Sequence, residues 1–117
     1  MSKAIRIVRF LMLLSIFAAS LSGFGQTGEA SLTGQVTDPA GAAIPGASVS
    51  VENVGTGLTQ KSMSDAQGVY RISPLPTGTY KLTVAAHGFA TYVQQGIVLT
   101  VGLSATQNVA LKLGATQ

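Results

Sequence analysis

The sequence predicts an all-β domain of seven short strands folded as a sandwich or barrel. Three observations carry that reading. Between Gly34 and Tyr80, alternating stretches are separated by four turns: Asp38-Pro39-Ala40-Gly41, Ile44-Pro45-Gly46-Ala47, Asp65-Ala66-Gln67-Gly68 and Pro74-Leu75-Pro76-Thr77-Gly78. Pro presets the φ that a turn needs, and Gly accepts a positive φ without a Cβ clash. These turns recur at roughly ten-residue intervals, the spacing of short strands. Finally, no segment beyond residue 25 carries an apolar stripe of helical period.

Each element follows from local alternation. Leu32, Gly34 and Val36 alternate with Ser31, Thr33, Gln35 and Thr37, giving a first half-buried strand. After the loop Asp38–Gly46, Ala47, Val49 and Val51 form the inner face of a second strand, with Ser48, Ser50 and Glu52 outside. Gly55-Thr56-Gly57 turns the chain into Leu58–Ser64. That weak pattern is expected at a sheet edge, where Lys61 discourages pairing with a foreign strand. Val69–Ser73 follows, with Tyr70 and Ile72 on one face; then Thr79–Ala86, with Tyr80, Leu82, Val84 and Ala86 inward. His87-Gly88-Phe89 breaks this strand, with Phe89 expected to close one end of the sandwich. Ala90–Gln95 fits no template clearly. Gly96–Val101 and Gln107–Leu113 complete the set, the last with Val109, Leu111 and Leu113 inward.

The formal net charge of +3 points to no acidic partner once the charges are placed. Lys3, Arg6 and Arg9 precede the apolar run Phe10–Leu21, and small residues follow up to Gly25. This is the layout of a signal peptide spanning residues 1–25, cleaved after Gly25 or a few residues earlier. The alternative is a retained N-terminal anchor, although the apolar run is shorter than the ~20 residues a spanning helix needs. Past residue 25 the bases Lys61, Arg71, Lys81 and Lys112 balance the acids Glu29, Asp38, Glu52 and Asp65. Dispersed bases do not make a phosphate-tracking face, so nucleic acid is not an expected partner. The chain has no cysteine, which removes disulfides, thiolate metal sites and a lipid-anchoring cysteine. The expected organisation is a lead-in over 26–30, one domain over 31–113 and a tail over 114–117.

Candidate chemistry is sparse. His87 is the single histidine and has no carboxylate at ligand spacing, so neither a zinc peptidase site nor a nucleophilic triad can be assembled around it. Asp38 and Asp65 each precede a turn, where such a side chain accepts backbone N–H groups two residues on. Gly55-Thr56-Gly57 is a hairpin turn, since no helix follows to make it a phosphate loop. Tyr70 and Tyr80 are in phase with the core, and Tyr92 is the aromatic left for a surface role. No catalytic residue, metal or cofactor is expected. The candidate ligand or partner surface is Asp38, Pro39, Pro45 and Tyr92.

The series Gly34-Gln35-Val36-Thr37-Asp38-Pro39, Ile44-Pro45-Gly46-Ala47, Asn53, Thr56-Gly57, Asp65, Gly68, Tyr70, Leu75, Gly78, Tyr80, Val84 and Gly88-Phe89 resembles the carboxypeptidase regulatory-like domain family over about Ser31 to Leu113. The resemblance implies a prealbumin-like, seven-stranded Greek-key β-sandwich grouped with carbohydrate-binding-like folds. Such domains also stand at the N-terminus of TonB-dependent outer-membrane receptors, and a signal peptide followed at once by this domain resembles that arrangement. The expectation is therefore a non-catalytic exported accessory or interaction module, located in the periplasm or at the surface of a Gram-negative cell. Its partner would be a protein or a glycan, and its membrane link only the signal peptide or a joined receptor barrel. The alternative is a carbohydrate-binding module, a reading that rests on fold analogy.

Overall fold

The computed structural model describes residues 28–114; the expected signal peptide, the first lead-in residues and the end of the tail lie outside them. Eight strands are present: β1 (Ala30–Thr37), β2 (Ser48–Asn53), β3 (Thr59–Met63), β4 (Val69–Leu75), β5 (Gly78–Ala85), β6 (Tyr92–Leu99), β7 (Ser104–Thr106) and β8 (Val109–Ala110). No helix occurs among the described residues. One sheet has β1 at its centre, with β4 antiparallel on one side and β7 then β8 parallel on the other. The second sheet runs β3-β2-β5-β6, antiparallel throughout. Between the sheets lie Leu32, Val36, Val49, Val51, Ile72, Leu82, Val84, Leu99 and Leu111, all buried.

The expected count of seven strands is corrected to eight, because Ser104–Thr106, which lies between the expected strands Gly96–Val101 and Gln107–Leu113, pairs with β1, while the last expected strand shortens to Val109–Ala110. Gln107 turns its carbonyl inward to accept the Tyr70 hydroxyl at 2.5 Å. Asn108 Oδ1 then replaces a backbone carbonyl as acceptor for the Gln35 N–H, at 3.0 Å. Gly34 makes this possible: a Cβ there would stand 1.9 Å from the Gln107 oxygen. Leu113, expected inward, is 71% exposed. After Leu111 N–H bonds the Thr37 carbonyl, the chain leaves the sheet and bridges to Phe89.

Two bulges correct the other boundaries. Pro74 and Leu75, read as a turn, belong to β4. The register there shifts, Ala30 facing Leu75 and Leu32 facing Ile72. A bulge tolerates the missing proline N–H, and the strand continues to the buried Leu75. In β6, Tyr80 faces Ile97 and Leu82 faces Gln94, with Gly96 in the extra length at φ 73°. One inserted residue reverses which face the alternation selects, so the single strand Tyr92–Leu99 looked ambiguous before Gly96 and regular after it.

Each buried tyrosine uses its hydroxyl. Tyr80 donates to the Pro76 carbonyl four residues upstream at 2.6 Å, closing the β4–β5 turn. Burial first, and Tyr92 second, push the Tyr70 phenol from its ordinary 10.0 up to about 12. Above about pH 10 the unfolded chain gains stability by releasing this proton, while native Tyr70 keeps it. The Tyr70 contribution is therefore complete below about pH 10 and is lost as pH rises towards 12. Urea denaturation across pH 8–12 should show the gap between wild type and Tyr70→Phe narrowing above about pH 10; a constant gap would remove this coupling.

Leu82 is fully buried at the centre of β5, whereas Thr83 faces outward. Leu82→Ala should cost roughly 2–5 kcal/mol. Thr83→Ala should stay within about 0.5 kcal/mol of wild type. Equal denaturation midpoints for the two variants would contradict the register of this strand.

Candidate functional site

One end of the sandwich gathers the β1–β2, β3–β4 and β5–β6 connections together with residues 111–114, since β1, β3, β5 and β8 all finish there. Two of these connections use the same local device. Asp38 Oδ1 accepts the N–H groups of Ala40 and Ala42, each at 2.9 Å, while the Asp38 carbonyl accepts Gly41 N–H. Asp65 Oδ1 accepts Gln67 and Val69 N–H, each at 2.9 Å, and its carbonyl accepts Gly68 N–H. Asp-x-x-Gly-x is thus one structure used twice, with Gly41 and Gly68 at φ 85° and 76°. The carboxylates hold backbone, as an aspartate does when its side chain imitates a turn.

Ser64 links the two loops. Its buried hydroxyl donates to the Ile44 carbonyl at 2.6 Å and accepts the Ala47 N–H at 2.8 Å. Sequence reasoning missed it, because it closes a weakly alternating edge strand and its partners lie 17 and 20 residues away. Asn53 performs the equivalent task at the opposite end, its Oδ1 accepting Gly55 and Thr56 N–H.

The candidate surface residues share this loop end but do not form one cluster. Pro39 and Pro45 are exposed on the β1–β2 loop. Tyr92 opens β6, half-buried against the core, with its hydroxyl 3.2 Å from Gln94 Oε1. It lines a cleft of about 280 Å³ between the start of β6 and the end of β8, together with Ala90, Thr91, Val93, Ala110 and Lys112. Lys112 was another residue that the sequence did not single out, since only the return of the last segment past Ala90 brings it beside Tyr92. Among the described residues the one ion pair is Lys81–Glu52 at 3.6 Å, so Lys112 forms none. His87 is exposed in the β5–β6 loop, and no group of three or more His, Cys, Asp or Glu stands together among the described residues.

With this architecture established, the sequence profile of the carboxypeptidase regulatory-like domain matches residues 31–112. The chain belongs to the carboxypeptidase regulatory-like domain family. No curated protein matches it in sequence. Among solved structures, this domain is similar to the Bacillus anthracis TIE protein, with 19% identity over 74% of this chain and 17% of that one, TM-score 0.62. It is similar to a putative carbohydrate binding protein from Bacteroides uniformis, with 19% identity over 71% and 41% of the two chains, TM-score 0.59. Catechol 1,2-dioxygenase from Pseudomonas arvilla follows, with 13% identity over 80% and 55%, TM-score 0.61. At these identities the likeness is one of fold, and the chain spans about half or less of each protein's length.

The carboxylate of Asp38 makes two hydrogen bonds in an exposed loop. Asp38→Ala should therefore lower stability by about 1 kcal/mol, within the usual range for lost hydrogen bonds. Denaturant titration checks this value, and an unchanged midpoint would show that the loop holds itself without the carboxylate.

Proposed function

We propose that this chain is a non-catalytic, exported β-sandwich module that engages a partner through its loop end or through the free edge of β6. The observation that carries this reading is the use to which the polar side chains of the loop end are put. Asp38, Asp65 and Ser64 are spent on backbone N–H and C=O groups, and His87 stands apart from them in an exposed loop. General acid–base or nucleophilic catalysis needs a base held against the group it activates. The edge of β6, by contrast, offers backbone groups to an added strand. The positively charged, apolar and small-residue order of residues 1–25 supports export. That leader followed directly by this domain also supports placing it at the N-terminus of a TonB-dependent receptor, which the reading frame beyond Gln117 tests.

A second reading, carbohydrate binding, is favoured by the Tyr92 cleft. A tyrosine ring beside the Thr91 hydroxyl and the Lys112 ammonium supplies an apolar face and hydrogen-bonding groups suited to one sugar ring. The fold shared with the Bacteroides protein named as a putative carbohydrate binder is consistent with it by analogy.

The purified periplasmic protein should have an intact mass lacking Met1–Gly25 and should hydrolyse neither peptide nor glycosidic substrates. Hydrolysis that disappears in His87→Ala would overturn the non-catalytic reading. Retention on a glycan array that disappears in Tyr92→Ala would establish the second reading over the first.

A further inference from the structure

Lys112 stands on a fixed stem and, among the described residues, has no carboxylate to meet it. Its carbonyl accepts the Ala90 N–H at 2.8 Å. On either side, Leu111 N–H bonds the Thr37 carbonyl at 2.8 Å and Gly114 N–H bonds the Gly88 carbonyl at 3.0 Å. The segment is thereby tied both to the end of β1 and to the β5–β6 connection. Every acid of the described residues is engaged elsewhere or distant. Glu52 pairs with Lys81, and Asp38 and Asp65 hold the N–H groups of their own turns. Glu29 precedes β1 at the end of the sheet opposite Lys112.

The rest of the cleft defines what a partner for this ammonium must carry. Tyr92 packs one side of its ring on the core, and its hydroxyl, 3.2 Å from Gln94 Oε1, steadies the ring. Ala90, Ala110 and Val93 add apolar wall, and Thr91 adds a hydroxyl. The lining contains no carboxylate and no amide, the side chains best suited to accept protons from the hydroxyls of an uncharged sugar. Its charged group offers donors only. Such a site complements a ligand whose own acceptor is charged. At about 280 Å³ the cleft is of single-ring size.

We propose that the Tyr92 cleft takes an acidic sugar, a uronate whose carboxylate pairs with Lys112 while its apolar face lies on the Tyr92 ring. This deepens the carbohydrate reading and rests on it. The carboxylate of a pyranose uronate stands at the edge of the ring, so one rigid ligand meets the aromatic face and the ammonium together. An acidic peptide presents the same charge on a flexible side chain, without a rigid apolar face for the tyrosine.

Calorimetric titration of the leader-free protein with trigalacturonate, and with its methyl ester, compares the same rings with and without charge. The acid should bind about fivefold more tightly than the ester at low salt, the gain of an exposed ion pair. That gap should close at about 1 M salt, where such pairs are screened. Lys112→Gln should bind acid and ester alike, and Lys112→Arg should keep the preference. Lys112 is exposed, so both variants should melt at the wild-type temperature. An acid preference that survives Lys112→Gln, or triglutamate bound as tightly as trigalacturonate, would overturn the proposal. Equal binding of acid and ester, with both lost in Tyr92→Ala, would overturn the acidic preference and leave the carbohydrate reading standing. Binding of neither oligomer would overturn the proposal, and a silent glycan array would take the carbohydrate reading with it.

Discussion

The contact of the Gln107 carbonyl with Gly34 and the Tyr70 hydroxyl is the one on which the first sheet depends. It occurs where β1 exchanges one parallel partner for another. A side chain at position 34 would occupy the space of that oxygen. A tyrosine that failed to reach Gln107 would bring a polar hydroxyl into the interior without a partner, at a penalty comparable to the bond it should make. The break between β7 and β8 is thus compensated at every polar group: Tyr70 satisfies the inward carbonyl, and Asn108 supplies the outer acceptor. No buried side-chain nitrogen or oxygen among the described residues lacks a partner.

The same economy governs the loops. With no disulfide to fix them, the connections are held by single polar side chains placed at their first or last residues. Asp38, Asp65, Asn53 and Ser64 each accept or bridge backbone groups that would otherwise need water. A domain this small buries a smaller fraction of its surface than a large one does, and these local hydrogen bonds brace its connections.

Strand alternation made β1, β2, β4 and β5 legible, because each has one face on the core and one in solvent. The Asp-led turns were legible because the residue that starts such a turn also braces it. What escaped was everything that depends on a partner far along the chain. Pro74 reads locally as a turn and becomes a bulge only because β1 lies beside it. Gly96 shifts the phase of β6, so its first half resembled nothing. Leu113 alternates correctly with Leu111, yet the sheet ends between them. The cleft beside Tyr92 escaped for the same reason, since Lys112 reaches it only through the return of the last segment past Ala90.

The parallel pairing of β1 with β7 and β8 also fixes the order in which this molecule can come into being. β1 is synthesised first, but the bond from Gln35 spans 73 residues to Asn108, and that from Thr33 spans 37 to Tyr70. Loops of that length are closed late, and topologies dominated by distant pairs fold slowly. The central strand of the first sheet accordingly waits for the last segment of the domain before it is flanked on both sides. In a nascent chain the first sheet is therefore completed only when the last strand is delivered, whereas every strand of the second sheet is already present.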